Sequence, residues 1–297
     1  MKPFAVAPLR TRRSYCCTGV SVTRTVMLWA AAAALAAVGA PAHAETPDAL
    51  SRAKERGVLT ACLDQYNYPF SSSNSEPPGF DVEIVRAVAQ RAGLRALYFW
   101  ADTGTRGGLG RALRTSILKG KCDFFMGIGE GPDTDEEMKD KDLTLTRPYL
   151  GLGYVLLVQG KVDTALSLQE LKDKAVKIGT PMSTPVDAYL FDNGYERALY
   201  LRSREIMKAL AQGEIDAAMV WSPALAIARA DHLDGHFHLI PGYTPEPGLR
   251  WNLAAAVPGK EPGLKQFLDD SLAALLRDGE IQKIVERYGF PFYPPFR

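Results

Sequence analysis

The sequence predicts a two-lobed α/β fold, each lobe a mostly parallel sheet flanked by helices, with two hinge crossovers between the lobes. Three observations carry this prediction. From residue 45 onward, short apolar runs alternate with stretches of helical periodicity, the pattern of α/β units on a parallel sheet. The spacing Gly120-x-x-Asp123-x-x-Met126 returns as Gly213-x-x-Asp216-x-x-Met219, each copy following a helix and opening an apolar run. Two similar lobes produce such an echo, although chance is a rival for so short a match. Finally, Thr146 to Gly153 and the Pro/Gly-rich Pro241 to Gly248 read as crossovers. They assign residues 45–149 and 249–297 to one discontinuous lobe and 150–248 to the other.

The elements follow in order. Val58 to Leu63 reads as a strand, and Asp81 to Arg91 as a helix stopped by Gly93. Leu97 to Trp100 is a second strand. Leu109, Leu113 and Ile117 recur every four residues in a helix that ends at Gly120. Cys122 to Ile128 is nearly all apolar, as for a strand covered on both faces. Tyr154 to Val158 opens the second set. Ser167-Leu168-Gln169-Glu170 is a capping box, and Val176 to Ile178 a strand. Thr184-Pro185-Val186-Asp187 combines an N-cap, a first-turn Pro and an acid, and that helix ends at Gly194. A helix over 206–211 ends at Gly213, Ala217 to Val220 and Leu253 to Val257 are buried strands, and two last helices are closed by Gly279 and Gly289. The tail Phe290 to Arg297 holds three Pro and no helix signal.

The first 44 residues read as a secretory signal peptide. Arg10, Arg12, Arg13 and Arg24 precede or flank an apolar run, Val26 to Ala40, of 15 residues, and Ala42-His43-Ala44 supplies a small-residue cleavage site. The run is short of the roughly 20 residues that span a bilayer, which argues against an uncleaved anchor. Arg12-Arg13 lies too far from that run to decide between general and twin-arginine export, and Cys16 and Cys17 precede it, which argues against a lipid anchor. Without this segment, 30 basic residues face 34 acidic ones, a formal charge of −4. A mildly acidic chain has no electrostatic footprint for nucleic acid. No later segment has the length of a membrane span, and a soluble monomer is expected.

Catalytic patterns are scarce. His232, His236 and His238 cluster in a polar turn with Asp231 and Asp234, where a solvated turn competes with metal ligation. No nucleophile elbow, zinc-protease motif or phosphate loop is present. What remains looks like a binding cleft at the carboxyl ends of strands. After the first strand come Tyr66, Asn67, Tyr68 and Phe70, loop aromatics suited to an apolar ligand or a partner. After the third comes Gly127-Ile128-Gly129, where Gly127 and Gly129 let backbone approach a ligand. After the second lobe's strand come Trp221 and Ser222; Trp221 reads equally as core. Thr180, Ser183 and Thr184 lie before a helix N-terminus, which favours an anion, although Thr184 also serves as a plain cap. Cys62 and Cys122 are left as a disulfide or two buried thiols.

The order Gly79-Phe80-Asp81, Gly120-Lys121-Cys122-Asp123, Thr146-Arg147-Pro148-Tyr149, Asp216 to Trp221 and Ile281 to Gly289 resembles the periplasmic solute-binding proteins of family 3. The likeness covers essentially everything after the export segment. Cys62 with Asn67-x-Pro69-Phe70-Ser71, Val220-Trp221-x-Pro223 and Tyr288-Gly289-x-Pro291 look like one branch, the binding proteins encoded beside quinoprotein (pyrroloquinoline-quinone) alcohol and methanol dehydrogenases. Where that branch commonly has Gly, Ser222 stands. The resemblance implies a type II periplasmic binding protein with a hinged cleft, no catalytic residue, and no cofactor or metal of its own. It adds Arg147 and Tyr149 to the expected ligand-binding set. It also places the first and third strands side by side, which makes a Cys62–Cys122 disulfide geometrically possible.

Amino-acid receptors of this family carry T-x-x-R after the third strand, and its Arg clamps the ligand carboxylate. Here Thr134-Asp135-Glu136-Glu137 puts an acid at that place, and the acid that would hold the amine is replaced around Trp221-Ser222. An α-amino acid would lose both charge partners, each worth on the order of a few kcal/mol when buried. Three functions are consistent with these residues. The first is a receptor delivering a small ligand to an ABC permease. The second is a partner of a periplasmic quinoprotein dehydrogenase. The third is a dehydratase or lyase using Asp64 or Glu130 as acid, for which no partner base is evident.

Overall fold

A computed structural model describes residues 47–162, 164 and 167–297; the export segment expected over residues 1–44 lies outside them. The elements run α1 (Ala49–Arg56), β1 (Val58–Asp64), β2 (Tyr66–Asn67), β3 (Ser71–Ser72), α2 (Phe80–Arg91), β4 (Arg95–Ala101), α3 (Gly108–Thr115), β5 (Phe124–Gly129), α4 (Pro132–Asp140), β6 (Leu143–Leu145) and β7 (Leu150–Val158). They continue through α5 (Leu168–Asp173), β8 (Ile178–Pro181), α6 (Pro185–Asp192), β9 (Arg197–Tyr200), α7 (Ser203–Ala211), β10 (Ala217–Trp221), α8 (Ala224–Ala230), β11 (His238–Leu239), β12 (Arg250–Pro258), α9 (Pro262–Arg277) and α10 (Glu280–Arg287).

Ten of the strands form one sheet in the order β4-β1-β5-β12-β7-β10-β8-β9, with β6 added on β12 and β11 on β7, while β2 and β3 pair separately with each other. At one end β1 runs parallel to β4 and β5; at the other β8 runs parallel to β9 and β10. These two parallel sub-sheets are joined by an antiparallel pair, β7 against β12, from Arg250↔Gly153 to Leu253↔Leu150. Both faces are covered, so strand residues alternate between cores. Leu59, Ala61 and Leu63 of β1 enter a core that continues under both sub-sheets to Ile206, Leu210 and Leu225. Cys62 faces a second core with Leu113, Phe125 and Ile128. A third, with Leu156, Leu171, Val186 and Leu190, lies under the second sub-sheet.

Local chemistry explains the helix ends. Ser167 Oγ accepts from the Glu170 N–H at 3.1 Å, as the capping box requires. Gly279 adopts φ 68°, a left-handed break that separates α9 from α10. In α10 the buried residues Ile281, Ile284 and Val285 follow i, i+3, i+4 spacing, which turns one face onto the core.

Several expectations shift. Thr184 occupies the N-cap position of α6, but its hydroxyl donates to the Pro181 carbonyl at 2.6 Å and does not cap. Asp187 satisfies an open donor there instead, accepting from the Ser183 N–H at 2.8 Å. The strand read over 176–178 begins at Ile178, because Val176 closes the end of α5 through its N–H to Leu171 O. Helix α3 stops at Thr115 and a separate single turn, Ile117–Lys119, reaches Gly120. The charge run from Asp133 is helix α4, led by Pro132. Strand β5 begins at Phe124, two residues after Cys122.

Cys62 and Cys122 form a disulfide with Cα atoms 5.5 Å apart, closing a separation of 60 residues. The neighbouring pairing of β1 with β5, Cys62↔Phe125, brings them together. In the chain-entropy model, closing such a loop removes about 4 kcal/mol of freedom from the unfolded chain. The C62A/C122A double variant is therefore expected to lose about 2–4 kcal/mol in urea unfolding, and reductant should lower the wild-type midpoint but not the variant's. A wild-type midpoint indifferent to reductant would contradict this.

Candidate functional site

The cleft lies where β7, β10 and β12 meet. Tyr154 on β7 pairs in register with Trp221 on β10, and Trp251 on β12 pairs with Leu152 of β7. The three rings touch one another: centroids lie 5.6 Å apart for Tyr154–Trp221, 5.3 Å for Trp221–Trp251 and 6.2 Å for Tyr154–Trp251. Their planes are inclined by 59°, 70° and 63°, so they meet like the walls of a corner. A cavity of about 410 Å³ opens onto this corner, completed by Phe70, Gly129, Pro181, Thr184, Ser203 and Leu253. None of these side chains is charged. Burial raises the Tyr154 phenol above its ordinary value, with the Thr184 hydroxyl opposing, so the ring stays neutral at neutral pH.

Gly153 makes the corner possible. A Cβ there would lie 2.5 Å from two carbons of Pro245, so only glycine lets the chain cross at this point. The tail braces the same place: Gly151 N–H donates to Tyr293 O at 2.9 Å, and the Asn252 side chain exchanges two hydrogen bonds with the Phe296 backbone, at 2.7 and 2.9 Å.

A second cavity, of about 290 Å³, adjoins the first at Gly129 and is lined by Asp64, Asn67, Ser71, Asp81, Thr103, Gly127 and neighbours. Asp64 is buried and committed: one oxygen accepts from Tyr66 N–H at 2.9 Å, the other from the Thr103 hydroxyl and N–H. Asp81, at the start of α2, is 1% exposed and accepts from Tyr149 Oη at 2.6 Å. Burial pushes its carboxyl up from 3.8 to about 7, with the Tyr149 hydrogen bond opposing. A Cβ at position 127 would sit 2.7 Å from Asp81 Oδ2, and Gly127 has φ 79°, so glycine is required there on both counts.

Of the residues expected from sequence, Phe70, Gly129, Thr184 and Trp221 line the aromatic cavity, and Asn67, Gly127 and Gly129 the adjoining one. The others lie outside both linings. Tyr66 is 68% exposed on the β2 turn. Tyr68 packs 6.2 Å from Tyr288. Phe70 is buried against Phe80 at 4.9 Å rather than presented as an exposed aromatic, because Phe70 O holds the Asp81 N–H at the start of α2. Arg147 is exposed, and its backbone N–H donates to Asp269 Oδ1 at 2.6 Å. Tyr149 is buried on Asp81. Thr180 is buried and donates to Met219 O. Ser183 lines an open surface depression beyond α6. Ser222 is fully buried, and its Oγ has no hydrogen-bond partner among the described residues.

Tyr154 and Trp251 were not anticipated. A signal existed: each stands at or just after one of the stretches read as crossovers, and two crossovers that converge bring both rings to one point. Glu137, at the place of the amino-acid receptors' Arg, is absent from both linings; it pairs with Lys141 at 3.0 Å. A larger cavity, about 640 Å³, lies at the amino ends of β1 and β5, among exposed pairs such as Arg56–Asp123. Ligands of open α/β sheets sit at the opposite, carboxyl ends. His232, His236 and His238 follow α8 in a turn and β11, and among the described residues no three such ligands come together to hold a metal.

A two-part sheet with a cleft at the strand ends is the architecture of a type II periplasmic binding protein. Residues 59–291 match the model of the bacterial extracellular solute-binding proteins, family 3, and the chain belongs to that family. It is similar to Protein MoxJ of Methylorubrum extorquens, 30% identical over 171 residues, 52% of this chain and about half (51%) of that one. It is also similar to the amino-acid-binding protein AabA of Dichelobacter nodosus, 25% identical over 232 residues, 75% of this chain and 85% of that one. The fold matches the crystal structure of an ancestral cyclohexadienyl dehydratase with TM-score 0.63 at 17% identity, covering 82% of this chain and 97% of that one. Among the described residues no helix is long and apolar enough to cross a membrane.

Asp81 generates a pH prediction. Its folded-state value lies above its ordinary value of 3.8, so folding favours the protonated form. The associated stability is complete below about pH 4 and is lost as pH rises through about 7. Asp81→Asn keeps an acceptor for Tyr149 and carries no charge. In urea unfolding, wild-type stability relative to D81N should fall by on the order of a few kcal/mol between about pH 4 and about pH 8. A difference that stays flat across that window would refute it.

Proposed function

We propose that this protein is an exported receptor that closes on a small, apolar-bodied ligand in the aromatic cleft and serves a periplasmic quinoprotein alcohol dehydrogenase system. The observation that carries the ligand reading is the cleft lining: the aromatic rings of Phe70, Tyr154, Trp221 and Trp251, the apolar surfaces of Pro181 and Leu253, and the hydroxyls of Tyr154, Thr184 and Ser203, with no guanidinium where family receptors for amino acids carry one. Such a surface rewards burial of an apolar body and leaves an α-carboxylate without a partner. The dehydrogenase reading is supported by the branch motifs around Cys62, Cys122 and Trp221 and by the likeness to Protein MoxJ.

A second reading, a receptor for amino acids or other small polar solutes that feeds an ABC permease, is favoured by the longer match to AabA. A dehydratase or lyase has less support. Asp64, one of the two candidate acids, already has both oxygens engaged by Tyr66 and Thr103.

Two measurements separate these readings. Thermal unfolding with the common α-amino acids should show no shift; a rise of several degrees with any of them would establish the importer-type reading. The tagged, exported protein should co-purify with the quinoprotein dehydrogenase of the same cells, or change its activity. Failure of both, with oxidised and reduced enzyme, would remove the dehydrogenase role.

A further inference from the structure

The rings of Tyr154, Trp221 and Trp251 do more than supply apolar area. Indole and phenol faces are electron-rich, and the three rings, inclined to one another by 59°, 63° and 70°, line the same cavity. The surroundings reinforce that sign. Among the described residues neither the aromatic cavity nor the adjoining one is lined by a Lys, Arg or His, and the two ionisable side chains they hold, Asp64 and Asp81, are both acids. Asp81 is 1% exposed and has no ion-pair partner among the described residues; its hydrogen bond comes from a neutral phenol. Its raised proton affinity is what a buried carboxylate without a neighbouring cation shows. A purely apolar ligand would make no use of this field, and an anionic one would oppose it.

We propose that the corner formed by Tyr154, Trp221 and Trp251 seats an organic cation, a methylated ammonium group whose apolar surface and diffuse charge both match the ring faces. This rests on the cleft being the ligand site and adds the ligand's charge. A methylated ammonium fits better than a primary amine. Aromatic rings satisfy a cation that needs no hydrogen-bond acceptors, and among the described residues of this lining the only side-chain acceptors are the hydroxyls of Tyr154, Thr184 and Ser203, the two indoles adding N–H donors alone.

The test compares choline with its uncharged isostere, the alcohol in which a tert-butyl group replaces trimethylammonium. The two have nearly the same shape, so the difference reads charge. With the exported full-length protein, tryptophan fluorescence and calorimetric titration should show choline binding roughly tenfold or more tightly than the isostere. Trp221→Leu and Trp251→Leu keep apolar bulk but delete a ring face. Each should weaken choline by roughly tenfold and leave the isostere little changed. Trp251→Phe restores a face and should recover most of the choline affinity, which guards against a variant that merely misfolds, as do the thermal midpoints without ligand. Equal binding of choline and isostere would overturn the cation and leave an apolar cleft receptor standing. Binding of neither, or choline binding indifferent to both leucine variants, would also overturn it. The amino-acid and co-purification measurements above are independent of all three outcomes.

Discussion

The antiparallel pairing of β7 with β12 is the constraint on which the rest of this structure depends. Each strand belongs to both halves of the sheet. β7 pairs with β12 through Leu150–Gly153 and with β10 through Tyr154–Val158, while β12 pairs with β7 and then with β5. Two parallel α/β units thereby become one continuous sheet, and every residue at the junction is placed by register. Tyr154 faces Trp221 because they are paired residues, and Trp251 joins them because Arg250 to Leu253 lies on the other side of the same strand. The corner of rings is a consequence of strand pairing.

Close packing holds the junction. Pro245 presses on Gly153, and the tail crosses Gly151 and Asn252, with the Asn252 side chain standing in for a strand neighbour. The disulfide performs a similar service further away, tying β1 to the approach of β5, whose carboxyl ends carry Asp64, Gly127 and Gly129 into the cleft. The site is built on strand ends with short supporting contacts, which keeps side-chain geometry precise. The buried Asp81–Tyr149 pair works at this level too. It pins the start of α2 to the segment leading into β7, and its carboxylate occupies the space that Gly127 leaves open.

Much of the fold was legible in the residues. Strands buried on both faces show as unbroken apolar runs, such as Phe124 to Met126 and Ala217 to Val220. Gly57, Gly120, Gly213 and Gly279 stand at helix or turn ends with positive φ, as a terminating glycine requires. Errors came where side-chain hydrogen bonding has alternatives. Thr184 stands in capping sequence, yet its hydroxyl donates to the Pro181 carbonyl and caps no helix N–H. The aromatic loop at 66–70 reads as exposed, yet the helix that follows draws Phe70 inward. Two of the rings were missed for a different reason: Tyr154 and Trp251 are 97 positions apart in the chain, and only the convergence of the two stretches they follow makes them neighbours.

The sequence by itself determined the class: an α/β chain of family 3 pattern, and the lack of a guanidinium where an amino-acid carboxylate would need one. These are properties of residue type, periodicity and order along the chain. Only the tertiary structure decided which residues make the cleft. Membership depends on register between strands distant in sequence, and a shift of one residue would turn Tyr154, Trp221 or Trp251 to the other face of the sheet. It decided equally that Arg147, Thr180 and Ser222 lie outside the cleft lining and that the charged side chains beside it are both acidic, because burial and neighbourhood are set by packing, which no single stretch of sequence contains.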